Sequence, residues 1–157
     1  MTQSIEPAPH GLTDLMQRAP RSCREELGGI AFLPRAIDKV RASLPGGALG
    51  AYINLDDGIP TMSGLFYRRM AVTHEEFNAA VASAADDAEV LAWLRARIDD
   101  ERVAKWHRQL LGIRLADVRT EDRSRVIAYY PPAAKLPPET LMIDIIDRDD
   151  AEMFIKT

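Results

Sequence analysis

Arg35, Asp38, Lys39 and Arg41 crowd one short stretch of the chain and form its densest charged cluster. Guanidinium and ammonium groups beside an orienting carboxylate bind carboxylates and phosphates. The chemistry expected of them is therefore an anion site, with Asp38 orienting the basic groups. Arg35 and Arg41 each stand three residues from Asp38, within reach of it on a helix. The plainer expectation is a salt-bridged, partly solvated helix face, because such pairs are worth only about 0.3–0.5 kcal/mol each. Tyr52, in the loop Gly50–Tyr52, and Trp106 are candidate walls of a pocket beside this cluster. His107 has the chemistry of a general base near neutral pH. It also shares an apolar stripe with Trp106, where a hydrogen-bonded core histidine is the commoner arrangement. Cys23 stands between Arg21-Ser22 and Arg24, and nearby cations lower a thiol pKa. No second motif supports a reactive thiolate, so an inert small residue is expected.

Other motifs are absent. His10, His74 and His107 are too scattered in sequence for a metal site, and neither metal nor cofactor is expected. Asp144, Asp147, Asp149 and Asp150 do not fit a calcium loop. They are expected as solvated edges or as a contact to a basic surface. Gly46-Gly47 and Gly50 lack the strand and helix of a dinucleotide fingerprint, and Ser63-Gly64 lacks the nucleophile-elbow context. Asp86-Asp87 between two helices has the layout of a helix-turn-helix, but Asp87 and Glu89 would repel phosphate. With a net charge of −4, no nucleic-acid partner is expected.

The elements that position these residues follow from caps and periodicity. Ser22 with Glu25 reads as a capping box opening a short helix that Gly28-Gly29 ends. Leu33 to Leu44 reads as the charged helix, with Pro34 at its first position and an apolar stripe of Leu33, Ala36, Ile37, Val40 and Leu44. Ala48 to Pro60 is loop-like, with a turn signal at Asp56-Asp57-Gly58. Thr61 or Ser63 caps a helix running through Phe66 to Met70. Thr73 to Gly112 reads as three short helices in series. Thr73 and Glu76 form a capping box, Asp86 or Asp87 caps the second helix, and Asp99-Asp100-Glu101 opens the third. Short connections favour antiparallel neighbours, which brings Trp93 and Trp106 towards one core. Val126 to Tyr130 and Leu141 to Ile146 have strand composition, with Met153 to Ile155 as a third candidate. Four prolines between them exclude helix.

The fold class expected is mainly α: a multi-helix body with a small β-rich C-terminal arm. The division is a flexible N-terminus (1–20), a helical domain (21–118) and the arm (119–157), packed on the body or on a neighbouring subunit. A single cysteine permits no intramolecular disulfide. Glu6, Pro7, Pro9 and Asp14 interrupt any signal-peptide pattern, and no apolar run approaches the roughly 20 residues that span a bilayer. A cytoplasmic protein without a membrane partner is expected. Residues 95–125 hold nine basic against six acidic side chains, and residues 139–157 hold two against six. That asymmetry suits an arm lying across the body of the same or another subunit.

Arg21-Ser22, Leu27-Gly28-Gly29, Leu33-Pro34-Arg35, Ile37-Asp38-Lys39, Arg41-Ala42 and Leu49-Gly50 resemble the opening of an uncharacterised bacterial family, domain of unknown function 5069. Glu89-Val90-Leu91-Ala92-Trp93 and Trp106 continue the likeness, which covers roughly residues 20 to 111. The resemblance implies a mainly helical fold and supplies no activity. The leading expectation is a helical protein acting through protein–protein contact or as a homo-oligomer joined by the arm. The alternative is a small-molecule enzyme or anionic-ligand-binding protein using the Arg35/Asp38/Lys39 helix and the Gly50–Tyr52 loop. Charged groups pointing into a concave pocket favour the alternative, and charged groups splayed into solvent exclude it.

Overall fold

The computed structural model describes residues 13–52 and 61–154. Among them the chain forms a hairpin of β1 (Glu26–Leu27) and β2 (Ile30–Ala31) and seven α-helices. The helices are α1 (Leu33–Ser43), α2 (Met62–Met70), α3 (His74–Ser83), α4 (Asp87–Arg95), α5 (Asp100–Leu110), α6 (Thr120–Tyr129) and α7 (Met142–Met153). No described helix is long and apolar enough to cross a membrane.

Helix α1 is the centre of the structure, with every residue from Leu33 to Ala42 buried. A helix buried on all sides normally carries apolar residues throughout. This one carries four ionisable groups, so each must find its partner inside the protein. Pro34 falls in the first turn, where its missing N–H leaves no bond unmade. The chain enters α1 through Phe32, whose φ of 75° lies in the left-handed region. For a side chain of this size that conformation costs about 1–2 kcal/mol. It is held because the Phe32 ring is fully buried against Phe66 and Trp106, with centroids 5.4 and 5.9 Å away. Helix α5 fixes the same point. Trp106 Nε1 donates to the Ala31 carbonyl at 2.8 Å, and His107 Nε2 accepts from the Ala31 N–H at 3.0 Å.

The caps fall where the sequence places them. Thr61 caps α2 through Gly64 N–H, Thr73 and Glu76 form the box of α3, and Asp86 and Asp99 cap α4 and α5. The two tryptophans do not touch each other directly. Trp93 meets Phe77, Phe77 meets Phe66, and Phe66 meets Trp106.

Two expectations are corrected. The Ser22–Glu25 capping box does not open a helix; Ser22 Oγ instead accepts from Arg24 N–H in a turn, and the next residues form the hairpin. Gly28 and Gly29, with φ of 57° and 79°, make its two-residue turn, the conformation that suits the twist of paired strands. The second correction concerns the C-terminal arm, which contains no strand among the described residues; the small sheet lies near the N-terminus. Val126 to Tyr129 is the end of α6, with Tyr130 as its C-cap, and Glu121 and Asp122 open that helix with favourable charge at the dipole's positive end. Leu141 to Ile146 leads into α7. The segment packs on the body: Ile143 and Ile146 enter the same core as α1, while Met142 and Ile145 join Leu115 and Val126 in a smaller one. Packing has overridden the strand propensity of isoleucine, valine and tyrosine. Among the prolines there is no α-helix, only a short 3-10 turn over Pro131–Ala134.

Residues 1–12 of the expected flexible N-terminus, the Asp56-Asp57-Gly58 turn and Ile155 lie outside the described residues. Leu15 is docked, its N–H donating to the Ala48 carbonyl at 2.8 Å. Alanine at Gly28 requires a left-handed alanine whose Cβ would sit 2.4 Å from Leu91 Cδ2. Gly28→Ala is therefore expected to lose about 1–2 kcal/mol in urea unfolding; an unchanged midpoint would show that the turn tolerates a side chain.

Candidate functional site

The four charges of α1 divide between two faces. Arg35 and Lys39 are one turn apart and share one face, while Asp38 and Arg41 share the next. On the first face, Arg35 Nη1 donates to Asp150 Oδ2 at 2.7 Å and Nη2 donates to Oδ1 at 3.3 Å. The Tyr52 hydroxyl donates to the same Oδ1 at 2.8 Å, and its ring centroid lies 5.6 Å from the Arg35 guanidinium carbon. On the second face, Asp38 accepts from the Arg21 backbone N–H at 2.8 Å and from Arg21 Nη2 at 2.9 Å. Arg41 Nη1 donates to Asp87 Oδ1 at 2.7 Å, and the other oxygen of Asp87 accepts from Arg21 Nη1 at 2.9 Å. The expected solvated pairs within α1 are thus replaced by buried pairs to α7, to α4 and to Arg21. A helix surrounded by protein finds its counter-charges on the surrounding elements.

Lys39 differs from the other three. Its Nζ donates to Ser63 Oγ at 3.0 Å, and among the described residues no carboxylate forms an ion pair with it. Burial, then the positive charge of Arg35 one turn away, lower its pKa to about 7. Lys39 lines a cavity of about 40 Å³ together with Arg35, Tyr52, Tyr129, Tyr130 and Asp149, and the exposed residues Ala51 and Met153 stand on its rim. That volume holds a water molecule or the end group of a small ligand. Burial raises the pKa of Tyr130; burial and the bond to Asp150 raise that of Tyr52. Burial and the neighbouring Asp150 raise that of Asp149. Two protonated phenols, Tyr52 and Tyr130, therefore stand beside an amine that is partly neutral at pH 7.

Of the residues singled out from sequence, Arg35, Lys39 and Tyr52 come together at this cavity. Asp38 and Arg41 face a different one. Trp106 and His107 are committed to Ala31 and form no wall of the cavity. Cys23 is fully buried, and burial pushes its thiol up to about 11, which keeps it protonated and unreactive at neutral pH. Sequence reasoning passed over Ser63, Tyr130, Asp149 and Asp150. Of the two arrangements expected for the acidic residues, solvated edges or a contact to a basic surface, Asp150 takes the second, against Arg35 inside the chain, and both Asp149 and Asp150 are buried. Their signal was present: Asp150 follows Ile146 by four residues and Ile143 by seven, on the stripe that α7 buries.

Two larger hollows have different chemistry. One of about 740 Å³ between α2 and α5 is walled by exposed charged side chains such as Arg69, Arg102 and Lys105. A largely apolar groove of about 310 Å³ runs between α2 and α6, with Tyr130 as a wall shared with the Lys39 cavity. Among the described residues, no group of three His, Cys, Asp or Glu side chains is arranged to hold a metal ion.

Fold and site together define a mainly helical domain built round a buried, charged helix. The chain belongs to the family described as Domain of unknown function (DUF5069), which matches residues 17–152. The match runs on through α6 and most of α7, beyond the 20 to 111 covered by the resemblance in sequence, and so includes Asp150. No curated protein matches the chain.

Proposed function

We propose that the protein is a small-molecule enzyme whose reactive group is the Lys39 amine, taking a small anionic carbonyl compound. One observation carries this reading: Lys39 is buried against a serine hydroxyl, with no carboxylate paired to it among the described residues, on the wall of a cavity that reaches the surface. An amine paired to a carboxylate stays charged and inert. One held neutral near pH 7 attacks carbonyl carbon. The nitrogen bonds to the carbon, the C=O opens to a hydroxyl, and loss of water leaves an imine. Tyr130, which lines the cavity and holds its phenol proton at pH 7, is placed to supply the proton that the departing oxygen needs. Arg35, on the same wall, helps hold the amine neutral through its positive charge.

The self-association reading has less support. The acidic side chains offered to a neighbouring subunit are engaged within the chain: Asp144 with Arg24, Asp147 with Ser22, and Asp150 with Arg35. They meet the segment around residues 21–35 rather than the basic stretch 95–125.

The test is reductive trapping with glyoxylate, the smallest aldehyde acid, and cyanoborohydride at pH 7. The chain has four lysines, Lys39, Lys105, Lys135 and Lys156, so peptide mapping resolves each. Lys39 is expected to gain a carboxymethyl group first, and labelling spread evenly over the other three would overturn the proposal.

A further inference from the structure

The other face of α1 borders a second cavity. Arg41 is 2% exposed, and its Nη2 is buried without a hydrogen-bond partner among the described residues, although Nη1 is bonded to Asp87. A buried guanidinium N–H left unpaired is costly and uncommon. Arg41 lines a cavity of about 160 Å³, together with Thr13, Arg18, Arg21, Asp38 and Asp87. This is several times the roughly 30 Å³ that a water occupies in the liquid. Three guanidinium groups meet two carboxylates there, leaving one positive charge in excess. Asp38 is paired with Arg21 and Asp87 is shared by Arg21 and Arg41, and among the described residues no carboxylate pairs with Arg18. The free donor capacity therefore belongs to Arg41 Nη2 and to Arg18, on the walls of one cavity.

The geometry points to an oxoanion site at this cavity, taking inorganic phosphate or the phosphate group of a small monoester. The planar guanidinium is the group that best matches phosphate oxygens. The ligand satisfies the orphaned Nη2 and balances the excess charge. The site is independent of Lys39, which faces Ser63 and the other cavity.

Calorimetric titration of the full chain with inorganic phosphate and with glycerol 3-phosphate tests it, with chloride at matched ionic strength as reference. Saturable binding of either phosphate compound is expected. Arg41→Gln should weaken it at least about tenfold. Arg18→Glu, at an exposed position that leaves the fold intact, should weaken it similarly. Lys39→Met should leave it unchanged, so failure here and failure of the Lys39 chemistry are read separately. Heats no larger than those of chloride, or binding indifferent to Arg18→Glu, would overturn the assignment.

Discussion

Replacing Lys39 with methionine is expected to leave the protein at least as stable at pH 7 and to remove part of the rise in its stability between pH 7 and pH 9. In the folded chain Lys39 titrates at about 7, against an ordinary value of 10.5. Between those values the unfolded chain binds a proton that the folded chain does not. Stability therefore rises with pH across the window. Below about pH 7 both states hold the proton, and the folded state carries the full penalty of a buried charge. The Cys23 thiol, moved from 9.0 up to about 11, acts in the opposite sense above pH 9, so pH 7 to 9 is the clean interval. Over those two pH units one proton is worth on the order of 2 kcal/mol. Contributions common to both proteins cancel in the difference. Methionine fills a similar volume without a charge to desolvate, so no large loss is expected. Urea unfolding of both proteins at pH 7, 8 and 9 gives the comparison. Parallel dependences would mean that Lys39 is charged and paired in the folded state, and the amine chemistry would fall with it.

The sequence made the helical body legible because its signals are local. Caps at Thr61, Thr73, Asp86 and Asp99 need only a side chain and a backbone N–H three residues on. Strand composition at Val126–Tyr130 and Leu141–Ile146 misled, because a short apolar run fits a strand or a buried helix equally well. Length decides between them. Each run belongs to a longer helix, α6 or α7, whose polar part is less conspicuous. The cluster Arg35, Asp38, Lys39 and Arg41 was visible as charge, but not as buried charge. Its partners Asp150, Asp87, Arg21 and Ser63 come from distant parts of the chain, and no helix spacing connects them. The apolar stripe of α1 accounts for one side of a helix that the fold surrounds completely. The acidity of Asp149 and Asp150 left two arrangements open, solvated edges or a contact to a basic surface, and could not say which. Their place on the stripe of Ile143 and Ile146 was the better guide.

The chain contains a controlled comparison of what burial does to an ion pair. Arg24–Asp144 and Arg35–Asp150 have the same N–O separation, 2.7 Å. The first pair is 46% and 48% exposed; the second is 2% and 9% exposed. Water screens the Arg24 pair, and Arg24→Ala is expected to cost no more than about 1 kcal/mol. In Arg35→Met the Asp150 carboxylate keeps only the Tyr52 hydroxyl as partner, and the loss is expected to reach about 3–5 kcal/mol. Asp150→Leu strands the guanidinium instead and should cost a similar amount. Removing both charges together leaves no unpaired group, so Arg35→Met/Asp150→Leu should be more stable than either single variant. That non-additivity separates a penalty for an orphaned charge from a net attraction lost. Denaturant unfolding of the three variants beside Arg24→Ala decides the matter. Single losses that simply add in the double variant would show that Arg35 and Asp150 stabilise the fold through separate contacts, and α7 would then be held to α1 by its isoleucines alone.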